Sequence, residues 1–162
     1  MNLFADIRSL VLSTLDTLVA DGFLPEGLSF DAITVEPPRD AAHGDMATNA
    51  AMVLAKPARM KPRDIAEKLA EKLAEDPRIT AADVAGPGFL NLRLSAAVWQ
   101  GVVGAVLGQG TDFGRGDLGQ GKRVNVEYVS ANPTGPLHVG HTRGAVFGLS
   151  LIHISEPTRP ID

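Results

Sequence analysis

Phe4, Ile7, Val11, Leu15 and Leu18 recur at the three- and four-residue intervals that align side chains on one helical face, and Gly22 supplies a stop. This spacing predicts an amphipathic helix. Ala32-Ile33-Thr34-Val35-Glu36 reads as a short strand closed by Pro37-Pro38, and a loop follows from Arg39 to about Asp45. Met46 to Lys56 has the composition of a buried helix, with Met52, Val53 and Leu54 among alanines and Pro57 as its end. Pro62 then opens a cleaner helix in which Ile65, Leu69 and Leu73 repeat every four residues, Asp64 and Lys68 are spaced to pair, and Asp76-Pro77 stops the run. Gly86-Pro87-Gly88 is a turn signal, and Phe89-Leu90-Asn91-Leu92-Arg93-Leu94 alternates as a half-buried strand does. A helix over roughly Ala96 to Leu107 completes an α+β unit spanning residues 1–113.

Between Gly108 and Gly121 the pattern gives way to glycine and polar residues, which predicts a linker over 114–121. Beyond it Val124-Asn125-Val126-Glu127-Tyr128-Val129 is rich in β-branched residues, and Ser130 to Pro136 carries turn chemistry. A strand, a loop and a helix start follow in that order, over residues 122–148.

The chain has 162 residues, 44% hydrophobic and 21% charged, which places it among globular proteins and requires a real core. Fifteen basic against 19 acidic residues leave a net charge of −4, so no global field draws in nucleic acid and any RNA binding must be local and shape-directed. The absence of cysteine excludes disulfides, thiolate metal sites and a cysteine nucleophile. Asp6, Asp16 and Asp21 interrupt the first apolar stretch, unlike a signal peptide, and no run reaches membrane-spanning length. The expectation is a cytoplasmic protein without membrane partners.

The sharpest chemical feature is His138-Val139-Gly140-His141 at the expected start of a helix. A helix N-terminus presents unpaired N–H groups and partial positive charge, so it suits phosphate, and flanking imidazoles add donors. Gly140 lets a nucleotide approach the backbone closely. Two histidines at i,i+3 with no carboxylate or cysteine beside them fall short of a zinc set, so no metal ligands are assigned. An isolated pair of this kind equally serves as helix capping.

The run Glu127-Tyr128-Val129-Ser130-Ala131-Asn132-Pro133-Thr134-Gly135-Pro136-Leu137-His138-Val139-Gly140-His141 resembles the catalytic signature of bacterial class I arginyl-tRNA synthetases. Gly44-Asp45-Met46-Ala47-Thr48-Asn49 and Gly86-Pro87-Gly88-Phe89-Leu90-Asn91 resemble two segments of the α+β appendage that precedes the catalytic domain in that family. The resemblance implies a tRNA-binding appendage at 1–113, followed by the first strand and helix start of an incomplete Rossmann-like α/β catalytic domain. It implies a ligase that activates L-arginine with ATP and its Mg2+, transfers the arginyl group to tRNA, and acts as a monomer.

By the same resemblance His138 and His141 are catalytic, and Thr134, Gly135, Gly140 and Lys122 join them at ATP. Lys122 stands where an upstream lysine substitutes for the KMSKS signature, which is absent from this chain, although its spacing alone reads more readily as a solvated linker lysine. Glu127, Ser130 and Asn132 correspond to arginine-binding positions. Asp45, Met46 and Asn49 correspond to tRNA contacts within the loop from Arg39, although Met46 replaces an aromatic and lacks its π-face. Asn49 and Asn91 serve equally as cap or turn residues, and the densest basic stretch, Lys56, Arg59, Lys61 and Arg63, is of a kind more often solvated surface than phosphate track.

After Gly148 the resemblance stops. Leu149-Ser150-Leu151-Ile152-His153-Ile154-Ser155-Glu156-Pro157-Thr158-Arg159 looks like a translated sequencing adapter, so 149–162 is expected to be a non-native scar. A parallel sheet needs neighbouring strands and covered faces, so the 122–148 segment is not expected to fold natively or to be active by itself. The alternatives are a non-catalytic tRNA-binding module that ends early and a small nucleotidyltransferase built around HxGH.

Overall fold

The computed structural model describes residues 2–38, 40–116, 119–123, 125, 127–132 and 134–155, of which 152–155 by their backbone alone. The chain forms two compact units, Met1–Arg115 and Gly116–Asp162.

The first unit opens with α1 (Leu3–Ala20), capped by the Asn2 side chain, which accepts from the Ala5 N–H at 3.2 Å. Ile7, Val11, Leu15 and Leu18 are fully buried, as their spacing predicts, whereas Phe4, the first residue of that stripe, lies in the opening turn of the helix and is exposed. Gly22, at φ +74°, ends the helix in a Schellman turn: the Gly22 N–H reaches the Val19 carbonyl at 3.0 Å and the Phe23 N–H the Leu18 carbonyl at 3.0 Å.

Four antiparallel strands follow, β1 (Val35–Glu36), β2 (Met46–Thr48), β3 (Ile79–Ala85) and β4 (Phe89–Leu94), in the order β1-β2-β4-β3. Helices α2 (Ala50–Ala58) and α3 (Pro62–Leu73) join α1 against one face of this sheet. Leu54, Ile65, Leu69 and Leu73 from the helices meet Met46, Leu90 and Leu92 from the strands in a single core. Each such side chain contributes roughly 1.5–3 kcal/mol when fully buried.

Two expected elements differ. Met46–Thr48 is a strand rather than the start of a helix, because its central place between β1 and β4 outweighs the helix propensity of methionine and alanine. The helix behind it starts at Ala50 and carries Pro57 in its last turn, ending at Arg59, which takes a left-handed φ of +55°. The strand expected over 32–36 shortens to Val35–Glu36 because side chains replace its ladder. Asn49 Oδ1 accepts from the Thr34 N–H at 2.9 Å, Asn49 Nδ2 donates to the Ala32 carbonyl at 3.2 Å, and the Thr48 hydroxyl donates to the Thr34 carbonyl at 2.8 Å.

Along α3, Lys68 pairs with Glu71 at 2.8 Å instead of with Asp64, and Arg63 pairs with Glu67 at 2.9 Å. Arg78 grips Asp76 through two nitrogens, each at 2.8 Å, and this hydrogen bonding holds the Asp76 carboxyl below its ordinary range. Gly86-Pro87-Gly88 joins β3 to β4, with both glycines at positive φ. Helix α4 (Ala96–Gln109) has no charged residue, and Trp99, Val103, Val106 and Leu107 on it are exposed.

In the second unit, helix α5 (Val139–Ser155) begins where the HxGH motif stands and runs on through 149–155. Residues 156–162 lie outside the described residues. Of the strand expected over 124–129, Val124 and Val126 lie outside them too, and Asn125, Glu127, Tyr128 and Val129 pair with no neighbouring strand. A parallel ladder needs a second strand, and the described residues of this unit provide none. Tyr128 instead packs on α5 at Gly148, where an added Cβ would overlap the tyrosine Cβ.

Candidate functional site

On the face of the sheet away from the helices, a trough of about 450 Å³ is bordered by Thr34, Glu36, Pro38, His43, Asn49, Gly86, Phe89 and Asn91. Strand alternation places it. Leu90 and Leu92 enter the core, so Phe89 and Asn91 take the opposite face, next to Ala47 of β2. Phe89 is 45% exposed, while Asn91 is only 8% exposed. Among the described residues no protein group hydrogen-bonds the Asn91 side-chain amide, and the residue lines the trough.

One wall of the trough is stapled to β4. Gly44, at φ +126°, brings the chain so close that a Cβ would lie 2.7 Å from the Leu92 carbonyl oxygen. The Asp45 N–H donates to that same carbonyl at 2.8 Å, and Asp45 Oδ2 accepts from the Leu94 N–H at 2.7 Å. Arg93 donates to the Ala42 carbonyl at 2.7 Å, holding the short 3-10 turn Ala41–His43 over the sheet. Asp45→Ala is expected to orphan the part-buried Leu94 N–H and to cost about 1–3 kcal/mol of stability. Asp45→Asn, which keeps an acceptor oxygen, should cost less in the same denaturant titration.

The three expected tRNA-contact residues therefore occupy different situations. Asp45 is a staple, Asn49 lines the trough while bridging Ala32 and Thr34, and Met46 is fully buried in the core. Met46 faces away from solvent because strand alternation pairs it with Leu92 on the helix side, so its thioether offers no surface to a base. Arg39 lies outside the described residues. Phe89 and His43 escaped the sequence reading as lining residues. Phe89 was legible from its two-residue offset to Asn91, whereas nothing local marks His43.

In the second unit, a cavity of about 410 Å³ is lined by Ser130, Ala131, Asn132, Thr134, Gly135, Pro136, His138 and His141. His138 stands just before α5. Its carbonyl accepts from the Thr142 N–H at 3.1 Å, and its Nδ1 accepts from the Gly140 N–H at 3.1 Å, leaving Nε2 as the nitrogen free to donate. The two imidazoles stack with centroids 3.6 Å apart and planes 26° from parallel. Gly140 makes the stack possible, since a Cβ there would meet the His138 ring at 3.0 Å. His141 Nδ1 is buried with no partner among the described residues.

Six expected residues thus share one cavity: Ser130, Asn132, Thr134, Gly135, His138 and His141. Gly140 lies under the His138 ring, and Glu127 lines a separate hollow with Asn125, Tyr128 and Val129. Lys122 is exposed, its N–H bonded to the Gly119 carbonyl at 2.8 Å, and it does not border the cavity. Among the described residues, no group of three or more His, Cys, Asp or Glu could hold a metal ion, and no helix is long and apolar enough to cross a membrane.

The chain is 74% identical over 151 residues to the arginine–tRNA ligase of Ruegeria sp. (strain TM1040), covering 93% of this chain and 26% of that protein. It matches the ligase of Jannaschia sp. (strain CCS1) at 74% with the same coverage, and that of Paracoccus denitrificans (strain Pd 1222) at 68%, again over 93% of this chain and 26% of the relative. It therefore spans about a quarter of the length of the curated relatives it matches. A solved structure of Thermus thermophilus arginyl-tRNA synthetase aligns at 22% identity with a TM-score of 0.43, covering 91% of this chain and 22% of that one. Residues 5–94 match the family described as the arginyl-tRNA synthetase N-terminal domain, the stretch that holds all but the first two residues of α1, then α2, α3 and the whole four-stranded sheet, and the chain belongs to that family.

Proposed function

We propose that the chain supplies the tRNA-binding appendage and one half of the nucleotide site of an arginine–tRNA ligase. The observation that carries this reading is the gathering of Ser130, Asn132, Thr134, Gly135, His138 and His141 around one cavity at the N-terminus of α5. The first helical turn directs N–H groups and partial positive charge outward, where the phosphates of ATP fit. Mg2+ enters as the companion of those phosphates rather than as a resident ion of this chain.

In the reaction the carboxylate of L-arginine attacks the α-phosphorus, a carboxyl–phosphate bond forms, and pyrophosphate leaves. Charge grows on the phosphate oxygens, and the His138 and His141 nitrogens with the helix N–H groups are the donors that stabilise it. Ser130 and Asn132 offer a hydroxyl and an amide to the amino-acid substrate, Glu127 a carboxylate for its cationic end, and Lys122 a charge for ATP. The Rossmann-like sheet belongs to the remainder of the ligase, with residues 114–121 as its linker and 149–162 as the non-native scar. The 162-residue chain by itself is expected to show no ATP–pyrophosphate exchange, and joining residues 1–148 to the rest of a relative's catalytic domain is expected to yield it.

The appendage reads as a base-binding surface for tRNA. A base stacked on Phe89 can present its edge to the Asn91 amide, which pairs in a bidentate manner with donor–acceptor edges. Phe89→Ala should weaken binding of arginine-accepting tRNA roughly 5- to 150-fold, the equivalent of about 1–3 kcal/mol for one stacked base. Filter binding at fixed salt measures it, and unchanged affinity would remove the trough from the RNA interface. The ligase acts as a monomer in the cytoplasm, where its tRNA is. The names of the relatives favour neither a non-catalytic module nor a small nucleotidyltransferase.

A further inference from the structure

Most described cations of the first unit are satisfied by the chain itself. Arg63, Lys68, Lys72, Arg78 and Arg115 pair with carboxylates, while Arg8 and Arg93 donate to backbone carbonyls. Lys56, Arg59 and Lys61 are different. All three are exposed, none has a partner among the described residues, and they cluster within six positions at the turn between α2 and α3.

The backbone of that turn adds a second observation. Arg59 ends α2 in the left-handed region at φ +55°, with the Met60 N–H returning to the Ala55 carbonyl at 3.0 Å. Glycine fills such a position at no steric cost, and Gly22 does so after α1. An arginine there carries a steric cost that glycine avoids, and its side chain makes no hydrogen bond or ion pair within the described residues in return.

The turn also adjoins the trough. Gly88, at the tip of the β3–β4 hairpin, packs so closely on Pro62 that a Cβ would lie 2.7 Å from the proline Cβ. Ala85, Gly86 and Phe89 of the same hairpin line the trough. Lys61 is the residue before Pro62, so the turn that carries the unpaired cations touches the hairpin whose residues line the trough.

We propose that Lys56, Arg59 and Lys61 form a phosphate-contacting turn, which holds the RNA backbone beside the base that enters the trough. The inference rests on the reading of the trough as a base site. It assigns the two surfaces separate tasks: Phe89 and Asn91 select a base, and the turn supplies a sequence-independent electrostatic hold. A chain of net charge −4 needs such a local concentration of unneutralised cations to meet a polyanion.

The test uses the 162-residue chain and an arginine-accepting tRNA transcript, titrated from low to physiological salt. Combining Lys56→Gln, Arg59→Gln and Lys61→Gln should weaken binding roughly 10- to 100-fold and flatten the slope of log K against log salt by about 2, at about 0.7–0.9 per lost phosphate contact. Phe89→Ala should lower affinity and leave that slope unchanged. Arg59→Gly separates function from folding: relief of the left-handed strain should raise the melting temperature by roughly 2–4 °C while tRNA affinity falls. Wild-type binding with an unchanged slope in the triple variant overturns the turn's role and leaves the trough standing. A fall in affinity without a change in slope overturns it as well, and failure of the wild-type chain to bind tRNA sinks both readings.

Discussion

Gly44→Ala is expected to lower the stability of the first unit by about 2–4 kcal/mol, among the largest losses available to a single methyl group in this chain. Two effects act together at this position. The backbone there has φ +126° and ψ −162°, a region that only glycine occupies freely, and the added Cβ would sit 2.7 Å from the Leu92 carbonyl oxygen. That oxygen already accepts the Asp45 N–H at 2.8 Å, so any shift that relieves the clash lengthens the bond holding the loop to β4. Gly22→Ala is the matched control. Its φ of +74° is also left-handed, but nothing lies within 4 Å of the new methyl, so it should cost only about 1 kcal/mol. Thermal or denaturant melts of the two variants measure the difference, and equal losses would show that close approach to Leu92 contributes nothing.

The same loop shows where sequence patterning succeeds and where it stops. Helices α1 and α3 were legible because Ile7, Val11, Leu15 and Leu18, and then Ile65, Leu69 and Leu73, each form a stripe facing one partner layer. Burial enforces that period, and the period survives in the sequence. Strand β2 was not legible. Three residues carry too short a period to register, and the pairing that makes them a strand comes from Leu90 and Leu92, more than 40 positions away. Strand β3 is likewise alanine-rich and takes its conformation from the hairpin with β4 rather than from its own propensity.

The two candidate surfaces divide along the same line. The cavity around His138 and His141 is assembled from residues 130–141, a contiguous stretch, so the order of loop and helix already placed its members together. The trough draws on residues from Thr34 to Asn91, and only the sheet order β1-β2-β4-β3 brings them side by side. Asn49 adds a further lesson. Its amide stands in for two ladder hydrogen bonds of the segment 32–34, a structural task with no local signature, and it lines the trough at the same time.

In a protein extended to the full length of the relatives, His138→Ala or His141→Ala should lower kcat for ATP–pyrophosphate exchange by about 10²–10³, the equivalent of about 2.7–4 kcal/mol for one preorganised donor. The double variant should lose far less than the product of the two. The rings stack at 3.6 Å, and Gly140 is held against the His138 ring, so removing either imidazole also displaces the other. His141→Asn, which keeps one N–H donor of similar reach, should recover part of the loss if donation to phosphate is the role. Rate constants from single-turnover arginyl-adenylate formation separate the cases. A loss that resides wholly in KM for ATP would assign the pair to ground-state binding of the nucleotide, because an interaction equally strong before and during adenylyl transfer leaves kcat untouched. A loss in kcat with KM preserved places the stacked pair where charge develops, and the buried, unpartnered Nδ1 of His141 is then the first atom to examine for a contact that forms only in the transition state.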